Sequence, residues 1–189
     1  DNYGQIYRAN LIIDAVDNGI LQGASAAQIN MFKGEALFFR ALAYFQLAMS
    51  YSYLPGNEVD GWNKGVPIIL TPTKKLEDVE FPERSTNVEV YNLIKADLTS
   101  AIAILTNTDR PSKAYVSKAV AQALLSRVSL YTLDLDATIS NANAVLTTAS
   151  VNTKATSTAT TGADLVTMWR TYKDKSESIW QISKNSADN

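Results

Sequence analysis

The sequence predicts an all-α domain built from antiparallel helix pairs, and three observations lead to this fold class. Apolar residues recur at helical spacing over most of the chain. Inside the most apolar segment, small residues recur every seventh position, which is typical of helices that pack closely on their neighbours. A short connection joins two of the predicted helices, so these two are expected to be antiparallel.

Composition limits both the number of domains and the possible chemistry. The chain has 189 residues, 46% of them hydrophobic, which predicts one domain spanning residues 1–189 with a sizeable core. Its 17 basic and 19 acidic residues are not gathered into blocks, so we expect no nucleic-acid partner. The absence of Cys and His excludes thiolate nucleophiles, disulfides, imidazole bases and the usual zinc sites. We therefore predict no metal and no cofactor.

The first two predicted helices differ in character. The first runs from about Asp1 to Asp17 and ends at Asn18-Gly19, a common stop signal. The second predicted helix lies in the stretch GEALFFRALAYFQLAMSYSYLP at residues 34–55. In it, two series of small residues lie ~200° apart around the helix axis. These series are Gly34, Ala41, Ala48 and Ala36, Ala43, Ser50. This helix is expected to lie between two others, and its polar residues make it a buried helix rather than a membrane span.

Three more helices follow from local signals. Thr86 stands three residues before Glu89, a capping-box spacing, and opens RSTNVEVYNLIKADLTSAIAILT. The segments SKAVAQALLSRVSLY and ATISNANAVL then form a predicted helical hairpin with a short connection. Residues 150–163 are rich in Thr and Ser and predict an exposed loop. ADLVTMWRTY predicts a short helix, and ESIWQIS a short C-terminal strand without an obvious partner.

Charged residues on apolar stripes are the first group of candidate functional side chains. Arg40, Asp97 and Arg127 each lie among apolar neighbours in the sequence pattern. An unpaired buried charge is very costly, so we predict structural ion pairs among these three or with Glu35. Glu35 itself is expected to interact with the start of its helix or with a nearby Arg. The alternative interpretation is that the three form a buried acid-base or substrate-binding group.

The stretch LPGNEVDGWNKGVPI contains the candidate ligand site. Its Pro and Gly residues break helices, and it brings an aromatic ring together with amides and carboxylates. Stacking on an indole combined with hydrogen bonds is chemistry suited to sugars. The predicted ligand-binding residues are Trp62, Asn63, Asn57 and Asp60, with Glu58 close by. The alternative is that Trp62 is a core residue that holds the loop against the helices.

Catalytic residues are not predicted. Two acidic pairs, Glu58 with Asp60 and Glu77 with Asp78, are available for glycoside hydrolysis. That reaction requires two carboxyl groups about 5 to 10 Å apart across a cleft, usually from separate elements. Acids that are neighbours in one loop do not indicate such an arrangement, so we interpret them as solvated charges.

Six segments, taken in order, resemble the SusD/RagB family of outer-membrane nutrient-binding lipoproteins over essentially the whole chain. They are YRANLIID, GEALFFRALAYFQLAMSYSYLP, GVPIIL, RSTNVEVYNLIKADLTSAIAIL, SKAVAQALLSRVSLY and SESIWQI. The resemblance implies tetratricopeptide-like helix pairs stacked in a right-handed arrangement, with irregular loops that contribute to a ligand-facing surface.

What the resemblance implies for function is capture of an oligosaccharide or other nutrient and its transfer to a SusC-like TonB-dependent transporter. Such proteins are not enzymes and are held at the cell surface of the outer membrane by a lipid anchor. The family's signal peptide, lipid-modified Cys and long downstream region are missing, so we expect this chain to be the amino-terminal part of a longer protein. The alternatives are a tetratricopeptide-type adaptor that binds protein through its concave side and, with less support, a carboxylate-based hydrolase.

Overall fold

The computed structural model describes residues 1–79, 81–108, 114–148 and 179–180. In these residues the regular structure consists of five α-helices, a short 3₁₀ helix at Leu76–Asp78 and one isolated bridge. The α-helices are α1 (Asn2–Asp17), α2 (Ala26–Tyr51), α3 (Asn87–Ile104), α4 (Lys118–Tyr131) and α5 (Leu135–Leu146). The predicted all-α fold class is confirmed.

The helices pack in chain order, each on the next. Contacts between opposite ends show that neighbours are antiparallel. Lys33, in the first third of α2, pairs with Asp17 at the end of α1, and Gly34 beside it faces Leu105, just beyond the last residue of α3. Helix α2 lies between α1 and α3, as its two series of small residues predicted. Ala41 and Ala43 are both completely inaccessible to solvent.

Capping boxes determine where α2 and α3 begin. Helix α3 follows the predicted cap, with the Thr86 backbone N–H donating to Glu89 Oε2 at 2.7 Å. Helix α2 starts eight residues earlier than its apolar stretch suggested, because Ser25 and Gln28 form a second capping box. Glu35 therefore lies well inside α2 rather than in its first turn, and the predicted interaction with the start of the helix is wrong.

Close approach of α2 and α3 depends on Gly34. A Cβ atom at this position would lie 2.6 Å from side-chain carbons of Leu105, the C-cap residue of α3. Farther along the same interface, Phe45 packs edge-on against Tyr91 with ring centroids 6.3 Å apart. The largest fully buried side chains are those of Tyr44, Tyr91, Phe38, Ile6, Ile94 and Leu98.

Residues 66–69 belong to no helix or strand, lie against α1 and α2 and are held by side chains of both helices. The Tyr44 hydroxyl accepts a hydrogen bond from the Ile69 N–H at 2.7 Å and donates to its carbonyl at 3.1 Å. Asn10 of α1 donates to the same carbonyl at 2.9 Å. Burial raises the pKa of Tyr44 to about 12, so the hydroxyl stays protonated. The loop between α2 and α3 is thereby fixed at its middle.

Near the C-terminus, Trp180 packs edge-on against Phe38 of α2, with ring centroids 5.7 Å apart. Its indole N–H donates to the Ala114 carbonyl at 3.2 Å. The predicted loop at 150–163 and the predicted helix after it lie outside the described residues, as does the predicted strand apart from Ile179 and Trp180. None of the helices in the described part is long and apolar enough to cross a bilayer.

Candidate ligand-binding loop

Loop 52–65 connects the end of α2 to residues 66–69 and is attached to residues 84–87, immediately before and at the start of α3. The Gly65 N–H donates to the Ser85 carbonyl at 2.6 Å, and the Asn87 N–H donates to the Asn63 carbonyl at 2.8 Å. Between them, Lys64 and Thr86 form the isolated antiparallel bridge. Gly65 is required here because a Cβ atom would lie 2.9 Å from the Thr86 carbonyl oxygen.

Trp62 stands at the outer side of this loop. Asp60 and Gly61 both have positive φ, 52° and 72°, and the Trp62 N–H donates to the Val59 carbonyl, which closes a tight turn. The turn leaves the Trp62 side chain 53% exposed. The alternative that Trp62 is a buried core anchor is therefore wrong.

Arg84 lies against the Trp62 ring and was not identified from the sequence. Its guanidinium carbon is 5.8 Å from the centre of the indole. Its Nε donates to the Gly65 carbonyl and its Nη2 to the Tyr51 carbonyl, each at 2.6 Å. Tyr51 is the last residue of α2, so Arg84 satisfies one of the carbonyls that a helix end leaves free. One side chain thus joins both ends of the loop and contacts its aromatic ring.

Asn87 is a second side chain that the sequence did not reveal. It is fully buried at the first position of α3, and its Nδ2 donates to the Tyr53 carbonyl at 3.2 Å and to Glu58 Oε1 at 2.6 Å. Glu58 also accepts from the Gly56 N–H at 3.1 Å. The hydrogen bond from Asn87, followed by those from backbone N–H groups, lowers the pKa of the Glu58 carboxyl, which is ionised at neutral pH.

A recess of about 390 Å³ opens between the loop and the start of α3. It is lined by Glu58, Gly61, Asn63, Thr86, Asn87 and Val88. The recess combines a carboxylate, two amides and a hydroxyl, and two of its lining residues directly flank Trp62 in the sequence. Such groups can form hydrogen bonds with a polyhydroxylated ligand while an apolar face of that ligand stacks on the indole.

The four residues predicted to bind ligand are all on the exposed part of this loop. Asn63 lines the recess and neighbours Trp62. Asn57 and Asp60 are exposed turn residues outside the recess lining; the Asn57 N–H donates to the Leu54 carbonyl at 3.0 Å. The structure therefore places Asn63, the neighbour of Trp62 in the chain, in one recess with Glu58 and Asn87.

Of the four residues predicted to form ion pairs, the structure brings together Arg40 and Asp97. Two hydrogen bonds of 2.7 Å join Arg40 Nε and Nη2 to the two carboxylate oxygens of Asp97, and Nη1 donates to Asn10 Oδ1 at 2.9 Å. Arg40 and Asp97 are only 7% and 4% exposed. The pair therefore links α2 to α3, and Asn10 extends it to α1.

Arg127 and Glu35 lie elsewhere. Arg127 is exposed on α4 and borders a recess of about 190 Å³ that Trp180 also lines, so its predicted burial is wrong. The helical stripe was recognised correctly, but among the described residues no helix covers this end of it. Glu35 is half-buried and accepts a hydrogen bond from the Val116 N–H at 3.2 Å.

Three other observations bear on possible chemistry and binding. Within the described residues, no group of acidic side chains is arranged to hold a metal ion. Asp78, from the second acidic pair, accepts from the N–H groups of Lys74 and Lys75, so it stabilises its own turn. A groove of about 490 Å³ runs between α1 and α2 and is mainly apolar, with Arg8 and Glu35 among its lining residues.

Comparison with known proteins gives one family. A family model named SusD-like, described as starch-binding and associating with the outer membrane, matches residues 1–130. None of the curated proteins compared with the chain matches it.

Three solved structures illustrate the similarity. A SusD superfamily protein from Bacteroides thetaiotaomicron VPI-5482 is 29% identical, with a TM-score of 0.67 over 77% of this chain and 30% of its own. A SusD-like carbohydrate binding protein from Bacteroides vulgatus ATCC 8482 is 26% identical, with a TM-score of 0.69 over 82% and 32%. A SusD superfamily protein from the same strain is 24% identical and matches in fold, with a TM-score of 0.81 over 99% and 40%.

The chain spans about a third of the length of the first two of these structures, 30% and 32%. The family model covers more than half of this chain and includes the first four of the six segments from which the resemblance was inferred. The chain belongs to the SusD-like family.

Proposed function

We propose that this chain is part of a glycan-binding component of an outer-membrane uptake complex and that loop 52–65 contacts the oligosaccharide. The observation that carries the proposal is the half-exposed indole of Trp62, backed by Arg84 and next to a polar recess. The description of the family as starch-binding and the carbohydrate-binding relative support the same ligand class.

Binding in this loop would combine two interactions. The C–H face of a sugar ring stacks on the open side of the Trp62 indole and excludes water from both apolar surfaces. Hydroxyl groups of the same or the next sugar donate to the Glu58 carboxylate and exchange hydrogen bonds with the Asn63 amide. Charge-assisted hydrogen bonds are the stronger kind, so Glu58 would contribute more than the neutral amide.

We propose binding without hydrolysis. A glycosidase needs a carboxylic acid that remains protonated near neutral pH, which requires a raised pKa. In this loop the hydrogen bond from Asn87 shifts the pKa of Glu58 in the opposite direction. Asp78, in the other acidic pair, is occupied with backbone N–H groups.

We also propose that the protein is lipid-anchored at the cell surface and passes its ligand to a SusC-like TonB-dependent transporter. The family's described association with the outer membrane supports this location. Purification of the intact protein from outer membranes of its host should recover the transporter in stoichiometric amount. Recovery of the protein alone, under detergent conditions that preserve other membrane complexes, would argue against this partner.

The binding experiment uses the intact protein as its host produces it. Titration calorimetry with maltoheptaose and a panel of other neutral oligosaccharides identifies a ligand, and Trp62→Ala is then compared with Tyr7→Ala. Tyr7 is a matched control because its ring is 42% exposed on α1. We expect Trp62→Ala to weaken binding at least about fivefold, since stacking contributes roughly 1 kcal/mol or more. Unchanged affinity in Trp62→Ala would rule out the loop as the ligand site.

A tetratricopeptide-type adaptor is the second candidate function. The apolar groove between α1 and α2 favours it, because its lining suits hydrophobic side chains of a protein better than a sugar. The two candidates differ in the calorimetric experiment. An adaptor would bind none of the oligosaccharides, whereas the glycan-binding proposal requires at least one that responds to Trp62→Ala.

A further inference from the structure

We propose that Arg84 is a positioning residue for the ligand-binding loop: it holds the Trp62 indole in place and leaves a single face of the ring for the ligand. This inference rests on the proposed function of the loop. Arg84 lies three residues before the start of α3 and belongs to no helix. Neither helical spacing nor the acidic and amide residues of the loop therefore identify it from the sequence.

Three contacts restrain the guanidinium, and each uses a different part of it. Nε reaches the carbonyl of Gly65, Nη2 reaches the carbonyl of Tyr51, and the central carbon lies over the Trp62 ring. A guanidinium is planar and rigid, so two hydrogen bonds fix the orientation of its plane as well as its position. The orientation of the plane in turn determines where the indole can rest.

The charge of Arg84 is available to the indole. Within the described residues Arg84 forms no salt bridge, and its two hydrogen-bond acceptors are neutral carbonyls. A cation is attracted to the electron-rich face of an aromatic ring, most strongly to that of Trp. The attraction holds one face of the indole against Arg84, so stacking by a sugar is confined to the opposite face.

The position of Arg84 also explains why the loop can present an exposed Trp in a defined place. Its two carbonyl acceptors belong to Tyr51, just before the loop, and Gly65, its last residue. Removing the guanidinium would free the ring and release a restraint at each end of the loop at once. We therefore expect the affinity for a ligand to depend on Arg84 through Trp62, without direct contact between Arg84 and the ligand.

The first experiment needs no ligand. Protein labelled with 5-fluorotryptophan gives a ¹⁹F NMR resonance for Trp62, assigned by its loss in Trp62→Phe. The change in its chemical shift between H₂O and D₂O reports how far the indole is exposed to solvent. In Arg84→Gln we expect that change to approach the value for free 5-fluorotryptophan, while the resonance of Trp180, which packs on Phe38, stays in place. A Trp62 resonance that is the same in both proteins would overturn the inference.

The second experiment measures coupling between the two residues in ligand binding. With the oligosaccharide identified for the intact protein, we expect Arg84→Gln to weaken binding about two- to fivefold when Trp62 is present and to have no further effect in Trp62→Ala. Arg84→Lys keeps the cation and loses the planar set of donors. Its affinity for the oligosaccharide should therefore lie between those of the unmodified protein and Arg84→Gln. Arg127→Gln, a change at an exposed Arg on α4, is the matched control and should bind as the unmodified protein does.

The outcomes separate the inference from the function on which it rests. Full affinity in Trp62→Ala would refute the proposed ligand site. Loss of affinity in Trp62→Ala together with full affinity in Arg84→Gln would refute only the positioning role. Equal losses from Arg84→Gln with and without Trp62 would also refute it, because the effect would then bypass the indole. If Arg84→Gln does not fold, Arg84→Lys is judged by the same comparison.

Discussion

Two arginines in this protein use their donors in similar ways in opposite surroundings. Arg40 lies in the core, 7% exposed, and its three nitrogens donate to the Asp97 carboxylate and the Asn10 amide. Arg84 lies at the surface, donates to two backbone carbonyls and rests against an indole. The first arginine joins three helices, and the second joins the two ends of one loop.

The difference shows what each environment requires of a cation. In the core a charge must be matched by an opposite charge and by satisfied hydrogen bonds, because water is absent. At the surface water compensates the charge, so neutral carbonyls and a ring are sufficient partners. Removing Arg40 should therefore change the stability of the domain, whereas removing Arg84 should mainly change the shape of a surface.

The largest effect is expected for Arg40→Met. Asp97 would keep a buried carboxylate without its partner, which typically costs about 3 to 5 kcal/mol in the free energy of unfolding. Urea denaturation followed by circular dichroism measures the loss, with Arg84→Met as the surface counterpart. A similar loss in both variants would break the comparison between core and surface.

The double variant Arg40→Met with Asp97→Leu is the control for this prediction. With both charges removed, no buried group is left unpaired, so most of the stability should return. A double variant as unstable as the single one would show that the shape of the side chains, rather than the charge, is responsible.

An intermediate effect is expected for Ala43→Leu. Ala43 is completely buried in α2, and three extra carbon atoms would overpack its surroundings, at a cost of about 1 to 3 kcal/mol. Ala103→Leu on the exposed side of α3 is the matched control and should leave the thermal midpoint nearly unchanged. Equal midpoints for the two variants would contradict the tight packing of α2.

The smallest effect is the pH dependence of the loop. The pKa of Glu58 is lowered from its ordinary value of 4.5, first by the hydrogen bond from Asn87. A lowered pKa means that the carboxylate stabilises the folded loop fully above pH 4.5 and ceases to do so as the pH falls through the lowered value. The ¹⁹F resonance of Trp62 should shift in this acid range. Glu58→Gln should remove that part of the shift, and an identical titration in both proteins would contradict the prediction.

The sequence predicted the helical part of the fold well because its signals are local. The cap at Thr86 and Glu89 lies within one turn, and the small residues of α2 repeat along a single helix. Arg40 and Asp97 were also found, since a charge on an apolar stripe must have a partner. Arg127 was misplaced because periodicity identifies a stripe but does not show whether another element covers its end.

The candidate site was predicted only in part. Trp62 and Asn63 were recognised by residue type, but Arg84 and Asn87 were not, although they hold the loop in place. Their contacts reach Tyr51 and Tyr53, which are 33 and 34 residues away in the sequence. No repeat or motif connects such distant positions, and three of the four acceptors they use are backbone carbonyls, which every residue provides.

Because the loop is held mainly through backbone carbonyls, its side chains can change without loss of these contacts. Asn87 and Arg84 reach the loop through the carbonyls of Tyr51, Tyr53 and Gly65 and through a single side chain, Glu58. The residues at the start of α3 can therefore make the same contacts with many different loop sequences of suitable length. Transplanting residues 54–64 from another family member, with an acceptor kept at position 58, should exchange ligand preference without rebuilding the helices beneath.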